Sequence, residues 1–473
     1  NATGTATLAG TVNAQFAAGS YLTKSYTILS AAGGRSGTFN TLTTSNLPSG
    51  FTAALLYSGT DVILQLTGQL NAPGQNRNQS NVQTALNNFF NNGGALPPAF
   101  QNVFGLSGSA LNTGLSQLSG EAATGAQSTS FLMLGQFLNL MLDPFVDGRG
   151  GFGAFAPAVP FAAESDSGFP PDVASAYAKV TGSKMPVKAP LQSSASPWTI
   201  WAGAYGAAAD SDADAVTGST ARRSRVGGVA AGGDYRINPD SRIGFALSGA
   251  GGNWSLAQGL GGGSADSFLA GIYGVTGSGP LYAAGALSFG NHWVSTDRFS
   301  FAADRATAAF QAQTYGARAE AGYRLSSMFG RIAPYVAVQA ISYRGEAYRE
   351  NDVTGTGFAL NVAAQRADEV RSELGARASA TLTQGPGTYT VANARLAWAH
   401  NFSSAPTVAA SFIALAGSNF TVTGAGPNRD AALVSAGLEW GIARGWTLAG
   451  KFDAEVGDTA RSYGGRGTLR HVW

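Results

Sequence analysis

Few residues of this sequence are of the types that carry out nucleophilic or acid–base chemistry. Cysteine is absent, which excludes thiolate nucleophiles, disulfides and zinc ribbons. The three histidines are His292, His400 and His471, so a Ser-His-Asp hydrolase is not available in the first 291 residues. None of the G-x-S-x-G, Walker A and H-E-x-x-H motifs occurs. We therefore expect a protein that is not an enzyme and that uses no cofactor.

Two short motifs resemble ligand sites, and each departs from the pattern that its chemistry needs. Asp210, Asp212 and Asp214 have the spacing of a calcium loop, but alanines stand at the positions that require Gly and Glu. The glycine-rich run 259–263 has no following helix that could complete a phosphate cradle. We predict a solvated loop at the first site and no ligand at the second, and we expect His400 and His471 to pack at strand ends.

Composition limits the classes of protein that remain. Charged residues make up 12% of the 473 residues, against roughly 25% in an ordinary soluble domain, while hydrophobic residues stay at 44%. Aromatic residues at 10% argue against disorder, and a net charge of +2 argues against binding to nucleic acid. No apolar run reaches the length of a transmembrane helix. Because the sequence starts at Asn1 without Met or a signal peptide, we expect a processed product or an excised fragment.

The charged residues that remain lie mostly in strand-like segments from Trp198 onward. Twelve segments alternate polar and apolar residues with a period of two, which predicts β-strands. They begin near Trp198, Val226, Arg242, Asp266, Leu281, Gln311, Arg331, Asp368, Thr388, Asp430, Trp446 and Ser462. Short joins such as 277–280 and 443–445 alternate with long polar joins such as 346–367 and 402–429. This alternation is typical of a transmembrane β-barrel.

Within these strands, one face is charged and the other is rich in alanine. We predict that the charged face lines the lumen. The predicted lumen-facing residues are Arg318, Glu320, Arg324, Glu369, Arg371, Glu373, Arg377, Arg395, Glu439, Lys451, Asp453 and Glu455. Of the 22 basic residues from Trp198 onward all but Lys451 are arginine, which suits paired, partly buried charges.

The opposite face predicts contact with lipid rather than with a soluble core. It is Ala- and Gly-rich, with aromatic residues near the strand ends, as in the interfacial girdles of membrane barrels. These aromatic residues are Trp198, Tyr323, Trp398, Trp446 and Trp473. Every backbone polar group must be paired in lipid, so the sheet must close. Twelve strands would leave room for one helix or one extended chain. A soluble all-β protein with two sheets is the less favoured alternative.

The residues before the barrel divide into three segments. Short β-type runs in residues 1–70 predict the end of a β-solenoid or a small β-sandwich, with the solenoid preferred. Residues 71–143 predict a helical connector, in which Ser80 caps a short helix through Phe90 and a longer pattern ends at Asp143. Residues 144–197 are rich in Pro, Gly, Ala and Ser, which predicts a linker that contains one short helix at about 172–182.

Several motifs in this order resemble the C-terminal translocator unit of classical autotransporters (type V secretion). The resemblance extends over roughly the whole chain and is strongest from Trp198 onward. The motifs that carry it are Gln117–Glu121, Trp198–Gly206, Gly244–Trp254, Arg371–Arg377, Ala394–His400 and the closing strand Gly467–Trp473. The resemblance implies a 12-stranded antiparallel transmembrane β-barrel with a lumenal α-helix, preceded by the end of a solenoid.

The resemblance also implies a function, a location and partners. The barrel would sit in the bacterial outer membrane and export its own N-terminal passenger to the cell surface. The implied partners are outer-membrane lipids, the passenger chain, and the barrel assembly machinery, which reads the last strand through Leu469 and Trp473. We expect a monomer. The alternatives are a surface adhesin displayed by the same barrel and a porin-like channel.

Within the family pattern, the position of the plug stays open. We predict the plug helix at 172–182, with a helix at 112–142 as the alternative. Residues 1–70 would be the autochaperone-like end of a passenger whose larger part is missing from this sequence. The dipeptide Asn91-Asn92 is too far from the barrel to match the intrabarrel cleavage point of some family members.

Overall fold

A computed structural model describes residues 1–17, 23–146, 197–328, 330–385 and 388–472. The N-terminal region contains seven short strands. They are β1 (Ala6–Leu8), β2 (Thr11–Gln15), β3 (Ser25–Ser30), β4 (Arg35–Gly37), β5 (Thr41–Ser45), β6 (Phe51–Tyr57) and β7 (Asp61–Gly68). β1 pairs with β4 and β2 with β5 in parallel, with partners 29 to 30 residues apart, while β7 pairs antiparallel with β3 and β6. The described N-terminal strands thus form two parallel pairs and one antiparallel sheet, and the end of a β-solenoid stays a prediction for this region.

Four α-helices follow the N-terminal strands. They are α1 (Arg77–Asn91), α2 (Pro98–Phe104), α3 (Gly108–Leu118) and α4 (Thr124–Val146), and a 3-10 turn at Glu121–Ala123 precedes α4. The prediction that Ser80 caps α1 is wrong, because Asn76 and Gln79 form a capping box four residues earlier. The single long pattern predicted to end at Asp143 is instead broken at Gly120, and its second part continues to Val146.

The second half of the chain forms twelve long barrel strands. They are β8 (Trp198–Ser211), β9 (Arg222–Asn238), β10 (Ser241–Leu256), β11 (Gly262–Ser278), β12 (Leu281–Phe299), β13 (Arg305–Tyr323), β14 (Gly330–Gly345), β15 (Gln365–Gly385), β16 (Thr388–Asn401), β17 (Asp430–Ala443), β18 (Trp446–Gly457) and β19 (Ala460–Val472). Each pairs antiparallel with its neighbour in sequence, and β19 pairs with β8 from Ala460↔Ser211 to Val472↔Thr199. The predicted closed 12-stranded antiparallel barrel is confirmed.

The two ends of the barrel differ. At one end the connections are tight turns, such as Pro239-Asp240 between β9 and β10. At the other end, the loops that follow β14 and β16 carry four short strands that pair with one another. These are Tyr348–Arg349, Leu360–Val362, Thr407–Phe412 and Asn419–Thr423. Two further short strands, Leu325–Ser327 and Asn351–Asp352, extend the ladders of β14 and β13.

Side chains alternate between the inside and the outside of the barrel as the sequence predicts. Large apolar side chains such as Leu247, Val338 and Leu396 stay about half exposed or more on the outer surface. Trp198, Trp398 and Trp446 are similarly exposed near the strand ends. Trp473 lies outside the described residues. The outer surface is thus an apolar band with aromatic residues toward its edges, which is the pattern of a lipid-facing barrel.

No α-helix in the described part of the chain combines the length and the apolar character that crossing a membrane requires. The helix α4 lies inside the barrel and packs against strands β8 to β14. Residues 124–143, which belong to the segment predicted as the connector, therefore provide the lumenal helix, in agreement with the 112–142 alternative. Residues 172–182, where we predicted the plug, lie outside the described residues.

The helices α1, α2 and α3 and the N-terminal strands lie at the loop end of the barrel. Their apolar side chains share one hydrophobic core with the loops. Phe100 packs edge-on against Phe358 and Phe412, with ring centroids 4.8 and 5.1 Å away. The side chain of Asn78 at the start of α1 donates to the carbonyl of Thr423 and accepts from its amide, at 2.8 and 2.9 Å. This docked assembly, which we call the cap (residues 51–118 and the loop strands), covers the loop end of the barrel.

Candidate functional site

The chain enters the lumen through a sharp turn between α3 and α4. Gly120 adopts a left-handed conformation with φ +74°, and a Cβ at this position would lie 2.5 Å from the side chain of Leu360. Glycine is therefore the residue that this turn accepts. The turn reverses the chain direction and points α4 into the barrel.

The carboxyl group of Glu121 fixes this turn to the loop after β8. Its two oxygens accept hydrogen bonds from the backbone N–H and the hydroxyl of Thr220, at 2.7 and 2.8 Å. Burial raises the pKa of Glu121 to about 7, against the opposing effect of these bonds and of Arg222. A buried carboxyl with two donors aligned to it is a specific attachment point, because any other position would leave it without partners.

One half of the lumen wall is apolar and receives α4. Leu134, Phe137, Leu138 and Met141 are fully buried against β8 to β14. Closer to the loop end, the indole of Trp254 donates to the carbonyl of Ala122 at 2.8 Å and leaves no space for a side chain at position 125. The helix thus lies on one wall rather than along the barrel axis.

A buried ion-pair network lies in the middle of the barrel. Its centre is Glu373 on β15, which accepts two hydrogen bonds of 2.8 Å from the guanidinium of Arg318 on β13. Arg371 donates to the same carboxylate at 3.0 Å, and Tyr335 at 3.2 Å. The side chains of Arg318 and Glu373 are each 1% exposed. Bidentate contacts of this kind are strong and geometrically specific.

A second carboxylate, Glu320 on β13, extends the network. Arg377 on β15 donates to its two oxygens at 3.0 and 2.9 Å, and Arg318 contacts it at 3.2 Å. The hydroxyl of Tyr282 donates to it at 2.9 Å. Because β13 and β15 are separated by β14, these contacts cross-link strands that do not pair directly.

The helix α4 joins this network through Asp143. Lys451 on β18 lies 3.2 Å from the carboxylate and Arg377 lies 3.9 Å from it, while Arg466 on β19 contacts it directly. Arg466 also pairs with Asp453 at 3.0 Å. One carboxylate of the helix is therefore held by cations from three barrel strands.

The opposite side of the lumen contains an open space of about 680 Å³ beside α4. It is lined by Gln136 and Asn139 of the helix and by charged side chains of the wall. At its edge, Arg371 pairs with Glu455 at 3.0 Å, and Glu369 lies two residues earlier on the same strand. The helix thus fills the lumen only in part and leaves a polar crevice toward the loop end.

Most of the residues predicted to face the lumen come together in this network or beside it. Those in the network or at its edge are Arg318, Glu320, Glu369, Arg371, Glu373, Arg377, Arg395, Lys451, Asp453 and Glu455. Two others lie elsewhere: Arg324 stacks on the ring of Tyr282 at 4.6 Å, and Glu439 accepts from Tyr389 at 2.9 Å. Leu469 of the predicted assembly signal points outward and is 40% exposed.

Sequence reasoning missed Asp143 and Arg466. Arg466 falls on the same alternation that assigns the other lumenal residues, because it lies three residues before the outward-facing Leu469. Asp143 carried a different signal, since it is one of very few charged residues in a long uncharged stretch. Its partners lie on three strands that come together only when the barrel closes, and the periodicity of the helix gives no information about them.

The histidines serve packing. His292 is fully buried between the hydroxyls of Ser267 and Thr314, at 2.7 and 2.8 Å from its two nitrogens. His400 bonds to Asp430 at 2.8 Å, and the ring of His471 packs on Trp446. Within the described ranges, no group of three or more His, Asp or Glu side chains could hold a metal ion.

The fold and the lumen define the class of this protein: a closed membrane β-barrel with one helix held inside by an ion-pair network. The sequence matches the model of the autotransporter beta-domain family over residues 200–453, which is more than half of the chain. The chain belongs to this family. Its barrel is an outer-membrane translocator that exports a passenger, and the adhesin and porin-like alternatives are not favoured.

Known structures with a similar fold include three autotransporter units. The translocator domain of NalP from Neisseria meningitidis is 14% identical, with a TM-score of 0.48 over 63% of this chain and 97% of that one. The beta domain of BrkA from Bordetella is 17% identical (TM-score 0.45, 58% and 99%), and the transport unit of AIDA-I from Escherichia coli is 13% identical (TM-score 0.41, 64% and 97%). A comparison with curated protein sequences gave no match.

Proposed function

We propose that this chain exports its own N-terminal region and that α4 is the last exported segment, retained in the lumen as anchor and plug. One observation carries the proposal: α4 runs from the loop end into a closed barrel, and all described residues before it lie at the loop end. In a barrel of this family the loop end faces outward. The N-terminal region would then lie at the cell surface.

The ion-pair network supports the role of α4 as an anchor. Export requires a lumen that lets a chain pass, whereas a stable product requires that the chain stop. The contact of Asp143 with Lys451, Arg377 and Arg466 forms only when α4 reaches its final depth. Removing one partner of such a buried group is costly, so the final position is strongly favoured.

The same proposal includes the partners and the absence of catalysis. The apolar outer band fits outer-membrane lipids, and the barrel is complete within one chain, which fits a monomer. The outward-facing Leu469 on β19 lies at the seam with β8, where assembly machinery could bind the closing strand together with Trp473. The hydrogen-bonded His292 and His400 fit a transporter and anchor that is not an enzyme and uses no cofactor.

Surface labelling tests the direction of export. Because the chain has no cysteine, Ser36→Cys in the N-terminal strands and Ser326→Cys in the short strand Leu325–Ser327 at the tight-turn end each add one thiol, and both positions are exposed. We expect a membrane-impermeant maleimide to label Ser36→Cys on intact cells and to label Ser326→Cys only after the outer membrane is permeabilised. The opposite pattern would refute the proposal.

Conductance tests the plug. In planar bilayers we expect low conductance for the full chain and higher conductance for a chain that starts at Trp198, with closure of both barrels checked by their altered mobility in unheated SDS gels. Equal, large conductances would show that α4 does not obstruct the lumen.

A further inference from the structure

The charges of the chain that enters the barrel are distributed unusually. The 69 residues from Asn78 to Val146 contain two charged side chains, Glu121 and Asp143. A soluble segment of this length would carry about 17. Polar character comes instead from amides and hydroxyls. Both carboxyl groups are nevertheless buried, with 3% and 5% of the residue exposed.

Each of these carboxyl groups has its own set of partners at a different depth. Glu121 accepts two hydrogen bonds from Thr220 at the loop end. Asp143 is held at mid-barrel by cations from β15, β18 and β19, with Lys451 at 3.2 Å. The two are 22 residues apart, which corresponds to about 33 Å along a helix.

Apart from these two carboxyl groups, α4 and the turn before it carry no charged side chain. The other polar side chains of the helix, such as Thr129, Gln136 and Asn139, are neutral and could exchange one polar partner for another along the wall. Its apolar side chains pack against alanines, aromatic rings and glycines of the wall, as Leu134 does at Gly316 and Met141 at Gly271, but they do not select a depth by charge. A shift by one turn moves the helix about 5.4 Å and would leave both carboxyl groups buried without partners.

We propose that Glu121 and Asp143 together set the axial register of α4 in the lumen, and thereby mark the point at which movement of the chain ends. Two fixed points at a fixed spacing select one depth, whereas a single point would allow the helix to tilt or to rotate about it. The role of the two residues as an end point of chain movement rests on the proposed export. Their role in setting the register of α4 concerns the plugged barrel alone and is tested separately.

Disulfide trapping measures the register directly, because the chain has no cysteine of its own. The hydroxyls of Thr129 on α4 and Ser224 on β9 lie 3.4 Å apart, so Thr129→Cys with Ser224→Cys reports the native register. Met133→Cys with Ser224→Cys reports a helix moved outward by about one turn. Each pair is placed in the unchanged chain, in a Glu121→Ala/Asp143→Ala chain, and in a Gln136→Ala chain as the matched control.

In the unchanged chain and in the control, we expect the native pair to form its disulfide at least about tenfold faster than the shifted pair. Loss of two buried polar anchors should remove this preference, because the ion pairs and hydrogen bonds that favour the native depth are then absent. In the double variant we therefore expect the two rates to become similar. Unheated SDS gels confirm that each barrel is closed, and Asp143→Asn alone provides a milder variant if the double variant does not assemble.

Unchanged selectivity for the native pair in a closed double variant would overturn the proposal, and would mean that close packing such as that around Trp254 holds the helix. If only Asp143→Asn assembles, and if it keeps the full tenfold preference for the native pair, the proposal is also overturned. Surface labelling of Ser36→Cys separates this outcome from a failure of export, because it reports export whatever the register of α4.

Discussion

Replacing Glu373 by Gln should destabilise the barrel strongly. Glu373 accepts two bonds from Arg318 and one from Arg371, and a third guanidinium, Arg395, lies 3.7 Å away. The side chains of Glu373 and Arg318 are each 1% exposed, so water cannot solvate the guanidinium groups when the carboxylate is removed. Breaking a buried ion pair by removing one partner costs about 3–5 kcal/mol. The neutral amide would leave three cations facing one another.

Glu455 provides a matched control within the same network. It pairs with Arg371 at a similar distance of 3.0 Å, but its side chain is 31% exposed in the crevice beside α4. Solvent screening limits such a pair to about 0–1 kcal/mol. Glu455→Gln should therefore leave the free energy of unfolding nearly unchanged.

Urea unfolding of both variants in detergent micelles, followed by tryptophan emission, measures this difference, provided that the slope of the transition stays constant. We expect a much lower midpoint for Glu373→Gln than for Glu455→Gln. Equal midpoints would refute the view that burial, rather than the number of charges in the lumen, makes the network stabilising.

Three further predictions address the mouth and the outer surface. Because its pKa is raised to about 7, Glu121 keeps its proton in the folded state between about pH 4.5 and 7, so the stability of the plugged barrel should fall across this range by up to about 3 kcal/mol as pH rises. Thermal midpoints at pH 5 and pH 8 check this, and Glu121→Gln should abolish the slope. Gly125→Val places a Cβ 2.1 Å from Trp254, so it should cost about 1–3 kcal/mol and raise conductance by displacing α4; unchanged conductance would contradict the close packing. Val338→Arg on the lipid face should cost about 2–4 kcal/mol in urea unfolding, whereas Val353→Arg in a loop, equally exposed, should cost almost nothing.

Much of the barrel could be predicted from alternation, because lipid on one side and a polar lumen on the other impose a period of two. The ends of the strands could not. β13 starts at Arg305 rather than Gln311, since its ladder continues beyond the apolar band, where alternation is no longer required. The N-cap residue of α1 was predicted four positions too late for a local reason. Asn76 and Ser80 are both good N-cap residues, and the choice between them depends on the hydrogen bond that the side chain of Gln79 accepts from the backbone N–H of Asn76.

The sequence could predict which side chains face the lumen, but not which of them contact one another. Alternation assigns Arg318 and Glu439 equally to the lumen, yet the first lies in the network and the second bonds to Tyr389 outside it. Height along the barrel depends on strand register, which is set by pairing between segments. For the same reason, Asp143 could be recognised as unusual, but its partners on three strands could not be named.

The shared core of the cap has a practical consequence for protein engineering. Phe51, the helices α1 to α3 and the loop strands bury their side chains together, so this part of the chain and the barrel loops share one hydrophobic core. A foreign protein fused directly to α4 for display on bacteria would remove half of that core and expose Phe358 and Phe412 to solvent. Fusions that join the chain upstream of Phe51 keep the cap intact.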